Sequence, residues 1–293
     1  MTEKRNAKGE TLQEFLDSYD DSLYRHPSNT VDMIVMTVED GQLKVLLIRR
    51  KDHPWIGDWA LPGGFVNFDE DLEQAALREL QEETNIAENT YFRQLYTLGK
   101  ADRDPRTRVI STAYLSMTRA ENIRKTRAGD DAADARWFTI AKTLLEKDEI
   151  GRRTLLQLYE EKDGIRIEYE VTDTALHNYV QTRSQRLDSS TAELAADHVK
   201  VINMAMDMVQ HRAASTGILF NLLPEEMTLR EIQTAYEAVI GHKTDTGNFR
   251  RDIRRMLKPT GNTRMVHGRR AATYRFDPMY TYLEENLCKT YLQ

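Results

Sequence analysis

The chain of 293 residues contains a single cysteine, Cys288, and that scarcity removes several chemistries at once. A disulfide framework needs pairs and a zinc site needs spaced ligands, whereas Cys288 is flanked by Leu287 and Lys289 with no His close by. No apolar run approaches the ~18 residues of a membrane span, and the opening MTEKRNAKGE is too polar for a signal peptide, so no membrane partner is expected. Internal repeats and low-complexity linkers are absent as well. A reducing cytoplasm is the default compartment, and the length suits about two domains, each with its own core.

Negative charge is missing from one stretch only. The formal net charge is −6, yet between Lys243 and Arg275 ten Lys or Arg face two Asp. That stretch carries +8 and the rest of the chain −14, so two regions face different partners.

What the chain has in excess is carboxylate on one short helix. Residues Gly64 to Ile86 read GFVNFDEDLEQAALRELQEETNI. From Leu72 to Leu80, strong helix formers carry apolar residues at Leu72, Ala75, Ala76 and Leu80, a spacing that buries one stripe. Glu79, Glu82 and Glu83 are related by steps of three and four, which crowds their carboxylates on one face. Like charges so spaced cost about 0.2–0.5 kcal/mol per pair. A divalent cation removes that cost. Hard oxygen donors at this density suit Mg²⁺ or Mn²⁺, which take a few carboxylates, several waters and phosphate oxygens, so the helix points to diphosphate chemistry. The preceding turn, Leu61-Pro62-Gly63-Gly64, can bring backbone close to a ligand, and Asn85 is next best after Gly for the left-handed residue that ends a helix. A solvated acidic face is the plain alternative.

The segment resembles the Nudix box. Gly64, Glu70, Arg78, Glu79, Leu80, Glu82, Glu83 and Ile86 stand at its specified positions, and Asn85 alone departs, where the pattern asks for Gly. The resemblance implies a metal-dependent hydrolase in which the carbonyl of Gly64 joins Glu79, Glu82 and Glu83 around the ion while Arg78 pairs with Glu70 to brace the helix. A metal-polarised water then attacks phosphorus. Nudix families place the general base either in the box or on a distant loop, so its identity stays open among the carboxylates. The loop Ala101 to Arg108 is the candidate grip for the diphosphate, since Arg103, Arg106 and Arg108 can each bind it in bidentate fashion. Asp102 and Asp104 in the same loop offer those arginines another partner.

Around the box, VDMIVMTV and LKVLLIRR are strand-like runs separated by Glu39-Asp40-Gly41, and YFRQLYTLG, RVISTAYLSM and ARWFTI read as further strands. Thr11 to Leu23 is weakly amphipathic, fit to pack on this unit or on a second subunit. EIGRRTLLQLYEEKDGIRIEYEV suggests a helix followed by a short strand. Ser190 and Glu193 form a capping-box pattern ahead of Leu194, Val199, Ile202, Ala205 and Val209, which reads as a long connecting helix. Met204, Met206 and Met208 on it read as core or interface, and neither His198 nor His211 has a partner at metal-ligand spacing.

Near the C-terminus, Thr228 and Glu231 start the helix TLREIQTAYEAVIG, which Gly241 can end. After the turn HKTDTG, the helix NFRRDIRRMLK puts Phe249, Ile253, Met256 and Leu257 on one side and Arg250, Arg251, Arg254, Arg255 and Lys258 on the other. A recognition helix needs that division: one stripe docked, the opposite one free for phosphates and base edges. TRMVHGRRAATYRF then alternates as a hairpin with a basic tip, adding Arg264, Arg269 and Arg270 to the candidate DNA contacts. The whole resembles a winged helix-turn-helix.

A Nudix domain followed by a winged helix is similar to the Nudix-related transcriptional regulators of NAD or sugar metabolism, a likeness that HPWIGDWALPGGFV, DRDPRTRVIS, LLPEEMTLREIQTAYEAVIG and NFRRDIRRMLKPTG extend. It implies an α+β protein: a Nudix α/β/α sandwich over residues 1–148, a connecting segment over 149–216 and a C-terminal winged helix-turn-helix over 217–293. It further implies a cytoplasmic homodimer that senses ADP-ribose or a related nucleoside diphosphate and binds a double-stranded DNA operator. The alternative is chiefly an ADP-ribose pyrophosphatase without a regulatory role.

Overall fold

The computed structural model describes residues 4–84, 91–121, 134–177, 179–213, 217–266 and 268–280. Asn85, Ile86, His267 and Cys288 lie outside them, as do residues 128–133. The first helix, α1 (Leu12–Ser18), is capped reciprocally by Thr11 and Glu14, and none of its residues is buried.

Ten strands make one sheet. β1 (Ser28–Glu39) and β2 (Gln42–Arg49) form a hairpin about Asp40 and Gly41, both at positive φ. The short strands β3 (Trp59–Ala60) and β4 (Gly63–Phe65) pair with β2 and β1. The box helix α2 (Leu72–Thr84) follows, then β5 (Tyr91–Leu98), β6 (Val109–Met117), which runs parallel to β1, and β7 (Asp134–Lys147). Val31 to Thr37 are buried without alternation, the mark of a strand covered on both faces. One cover is α2, whose Ala75, Ala76 and Leu80 pack on Val31, Met33 and Val35. The other is α3 (His198–Ala213), whose Val199, Ile202 and Met206 join a cluster with Ile34 and Met36.

The sheet continues past residue 148. β8 (Gly151–Glu160), β9 (Ile165–Leu176) and β10 (Tyr179–Arg186) extend it in the order β10-β9-β8-β7-β2-β1-β6-β5. The helix expected over TLLQLYEEK is therefore a strand. Thr154, Leu156, Leu158 and Glu160 point inward in period two, and ladders to β7 and β9 on both sides outweigh local helix preference. The connecting helix also starts late, at His198. The Ser190 hydroxyl, expected to cap, instead accepts from the Glu168 N–H at 2.9 Å and donates to the Glu168 carbonyl at 3.0 Å. Glu193 meanwhile offers its carbonyl to the Trp59 N–H at 3.0 Å. Met206 is buried and Met204 and Met208 half-buried, as core positions should be.

The C-terminal unit combines a three-stranded sheet with two helices. β11 (Met227–Thr228) leads into α4 (Leu229–Ile240), which opens on the Thr228–Glu231 capping box and closes on Gly241 at φ 79°. The next helix, α5 (Thr246–Ile253), is capped by Asp245 and ends earlier than its sequence predicts. Arg254–Met256 tighten into a 3₁₀ turn, because Leu257 already pairs with Phe276 in the strands β12 (Leu257–Val266) and β13 (Arg269–Phe276). Pro259 is tolerated inside β12 because that strand is the sheet edge, and the register shifts between Pro259 and Thr263 around Gly261. One buried cluster runs from Trp59 and Leu61 through Ile202 and Met206 to Val239, Phe249 and Met256, so α3 is the shared centre of both units.

Candidate functional site

β4 delivers two glycines to the side of α2. At Gly63 φ is 155° and a Cβ would strike the Val31 carbonyl, which only glycine avoids. A Cβ on Gly64 would overlap the carboxylate of Glu79, so any larger residue there displaces that carboxylate from the backbone. Glu83 accepts the Gly63 N–H at 2.7 Å. Arg78 organises the rest: its Nε and Nη2 fork onto both oxygens of Glu70 at 3.0 and 2.6 Å, and its Nη1 reaches Glu79 at 2.7 Å and Glu82 at 3.1 Å. The same guanidinium donates to the Phe65 carbonyl at 3.1 Å, tying helix to turn.

This crowding divides the acids electrostatically. Burial pushes the Glu83 carboxyl up to about 8, opposed by the Gly63 N–H and reinforced by Glu79 and Asp32. Burial likewise raises Glu79, against the pull of Arg78, whereas the Arg78 hydrogen bonds hold Glu70 down at about 2. Among the described residues no three His, Cys, Asp or Glu side chains already converge as an ion cage, since Arg78 takes Glu79 and Glu82 while Gly63 takes Glu83. The donor set nevertheless fits a hard divalent cation: every ligand atom is oxygen, two of the carboxylates are penalised by burial, and Gly64 leaves its backbone against Glu79.

The loop between β5 and β6 sorts the three candidate arginines. Arg103 is turned inward, its side chain 6 % exposed, with Nη2 at 2.7 Å and Nε at 3.3 Å from the carboxylate of Asp197. That pairing takes Arg103 out of the ligand-facing set. Arg106 forks onto Asp104 at 3.1 and 2.8 Å, stays 43 % exposed and lies 5.4 Å over the Phe65 ring beside Gly64. Arg108 is exposed and donates to the Lys100 carbonyl at 3.0 Å. Asp102 pairs with Lys100.

Four further residues belong here that the sequence reading missed. Asp32, opposite Gly63 in the β1–β4 ladder, is buried, hydrogen-bonded to Ser111 and 3.6 Å from Arg103. An acid inside the apolar run VDMIVMTV was the available signal, because a buried charge demands partners. His198 accepts the Leu61 N–H at Nδ1 (2.9 Å) and faces Asp32 with Nε2 at 3.6 Å; burial holds its pKa below the ordinary range. Asp197 has been noted. Arg50, half-buried at the end of β2, donates to the Pro54 carbonyl at 2.8 Å, and burial and the Arg106 charge lower its pKa while Asp104, Glu83 and Asp32 support its charge.

On the other unit, α5 buries Phe249 and Ile253 and exposes Arg250 and Arg251, and the 3₁₀ turn after it exposes Arg254 and Arg255. Arg251 pairs with neighbouring Asp252 at 3.0 Å and Arg255 lies 5.9 Å over Tyr280. Two expected DNA contacts are engaged within the fold: Lys258 binds Asp277 at 2.8 Å, and Arg264 binds Glu231 at 2.9 Å as well as the Glu226 carbonyl. Arg269 and Arg270 sit exposed at the hairpin end. Asn248, exposed one turn ahead of Arg251, was not singled out, although the first turn of such a helix is where base edges are read.

Residues 27–159 match the NUDIX domain family and residues 219–276 match the NrtR DNA-binding winged helix domain. The chain is thus a Nudix-fold protein with a C-terminal winged helix. More particularly, it is homologous over most of its length to NrtR proteins. It is 28% identical over 268 residues to the ADPR responsive transcriptional repressor NtrR of Acinetobacter baylyi, covering 90% of this chain and 88% of that one. It resembles the crystal structure of Shewanella oneidensis NrtR complexed with a 27mer DNA at a TM-score of 0.61 and 28% identity, over 86% of this chain and 95% of that one. Over 118 residues it is 39% identical to the ADP-ribose pyrophosphatase of Methanocaldococcus jannaschii, 40% of this chain and 65% of that protein. Among the described residues no helix is long and apolar enough to cross a membrane.

Proposed function

We propose that this protein is a DNA-binding transcriptional regulator whose Nudix domain receives ADP-ribose or a related nucleoside diphosphate, and that it retains metal-dependent hydrolysis of that ligand. The carrying observation is that one chain holds both a box with all its carboxylates, Glu79, Glu82 and Glu83, on one face of β1 and, through the core that α3 shares on the other face, a helix α5 whose basic face is exposed. The names of the relatives support both halves.

We divide the chain into a Nudix unit (1–148), a connecting segment that adds strands and α3 (149–216) and a winged helix (217–293). Mg²⁺ or Mn²⁺ would be held by Glu79, Glu82, Glu83 and the Gly64 carbonyl, where it supplies Lewis acidity to the diphosphate and its attacking water. Arg78 and Glu70 hold α2 against the glycine turn. Arg106, Arg108 and Arg50 present guanidinium donors to the diphosphate. On DNA, α5 enters the major groove with Asn248, Arg250 and Arg251, followed by Arg254 and Arg255 of the turn after it, while Arg269 and Arg270 meet phosphates beside it. Lys258 and Arg264 hold the hairpin in place. Two copies reading paired half-sites make a homodimer, acting in the cytoplasm.

A gel shift on the DNA upstream of the protein's own coding sequence, run beside ADP-ribose turnover with Mg²⁺, tests this reading. Retarded DNA whose mobility responds to ADP-ribose is the expected result. Turnover without DNA binding at any salt would leave the hydrolase reading, which the intact carboxylates favour.

A further inference from the structure

We infer that Arg103, Asp197 and His198, with Asp32 between them, relay the state of the diphosphate site to the winged helix. This deepens the regulator reading and rests on it. Two separate connections leave the site and end on adjacent residues at the start of α3. The first leaves from the arginine loop: Arg106, at the site rim over Phe65, is three residues from Arg103, whose guanidinium is buried against Asp197. The second leaves from the glycine turn: Gly63 holds Glu83 by its N–H, and two residues earlier the Leu61 N–H is accepted by His198 Nδ1. Asp32 sits where the two meet, opposite Gly63 in the ladder, fixed by Ser111 and 3.6 Å from both Arg103 and His198.

The other end of α3 addresses the DNA unit. Val209 is buried in the common core, and Gln210 Nε2 donates to the Val239 carbonyl of α4 at 3.1 Å. Helix α4 in turn backs the recognition helix, with the Tyr236 and Phe249 rings 5.2 Å apart. Midway, Asp207 is clamped to the sheet by Lys142 at 2.5 Å and by Arg152, so the helix has a fixed point between its two ends. A ligand that re-aims Arg106, or a cation that draws Glu83 from Gly63, changes the demand on the first turn of α3, and a packed helix passes that change on as a rigid body. A burial of charge this complete, between segments far apart in sequence, also serves to glue two units together. The two roles differ in what they do to coupling.

Coupling is read as the fold-change in DNA affinity, by fluorescence anisotropy, on saturating the full-length protein with ADP-ribose. Arg103→Met with Asp197→Leu removes the paired charges together, leaving Asp32 to Ser111 and His198. The relay predicts a folded protein that binds DNA and ADP-ribose each within about threefold of wild type while its coupling ratio falls to within about twofold of unity, from the roughly 5–150-fold of ordinary allostery. A double variant with the wild-type ratio overturns the relay. If that variant does not fold, His198→Phe, which deletes the contact with Leu61 yet fills the space, is read by the same ratio and the same criterion. A wild type without any response to ADP-ribose sinks the regulator reading itself, which keeps the two failures apart.

Discussion

Glu83 and Arg254 mark opposite uses of charge in one molecule. Glu83 is half-buried beside other acids, and desolvation pushes its pKa up to about 8, so the Nudix unit stores an electrostatic demand that a ligand can meet. Arg254 in the turn after α5 is exposed, as are Arg250 and Arg251 on the helix. Nothing there is strained: the winged helix waits for phosphates with solvated cations, and its affinity should fall steeply with salt through counterion release. The acidic site is preorganised by Arg78, the glycine turn and Asp32, whereas the basic face is preorganised only by the apolar stripe beneath it. Chemistry needs perturbed groups; electrostatic recognition needs available ones.

The contrast can be broken first at the DNA face. Arg250→Ala with Arg254→Ala should weaken operator binding by roughly 2–6 kcal/mol if both reach bases, and far less if they touch only phosphates. ADP-ribose turnover and melting temperature should not move, and a loss of either would mean that the α5 face is not independent of the site. The reverse experiment is Gly64→Ala, whose Cβ overlaps the Glu79 carboxylate. Displacing that group should cost turnover about 100-fold. DNA affinity without ligand should stay within about twofold, which an anisotropy titration would check.

A subtler test sharpens the electrostatic half. An acid raised from its ordinary 4.5 to about 8 keeps a proton in the folded state that the unfolded chain releases, so metal-free stability should fall as pH rises through that window. Glu83→Gln should remove that slope and raise metal-free stability at pH 7 by on the order of 2 kcal/mol. In the wild type, metal affinity should increase with pH up to about 8 with proton uptake by buffer on binding, since the ion needs the carboxylate. A pH-independent metal affinity, measured calorimetrically in two buffers, would say that Glu83 is not a ligand. The smallest effect is expected at Arg264→Ala, which frees Glu231 and the Glu226 carbonyl. A partly exposed pair of this kind contributes about 0.2–1 kcal/mol, so thermal denaturation should register little, and a salt slope unchanged from wild type would mark Arg264 as a brace and not a phosphate contact.

The box helix and the winged helix were legible because their signals are local. Thr228, Glu231 and Gly241 mark both ends of α4, and the stripes of α2 and α5 follow from spacing alone. Illegible were the features decided by distant partners. Thr154 to Glu160 became a strand because two ladders received it, Ser190 lost its capping role to the backbone of Glu168, and α3 therefore begins at His198. Arg103 looked like its neighbours Arg106 and Arg108, yet its partner Asp197 lies 94 residues on, where no window of sequence would reveal it. The acids and bases of the site were visible one by one; which of them face a ligand and which face each other was set by folding.

The central claim is that the two charge regimes share one equilibrium, and reciprocity tests it most directly. The Glu82→Gln variant, chosen so that hydrolysis does not consume the effector, would be titrated calorimetrically with ADP-ribose in the presence and absence of saturating operator DNA, and by anisotropy with DNA in the presence and absence of ADP-ribose. The account predicts the same factor in both directions, corresponding to a coupling of roughly 1–3 kcal/mol. ADP-ribose binding that leaves DNA affinity untouched, and DNA that leaves ADP-ribose affinity untouched, would contradict it.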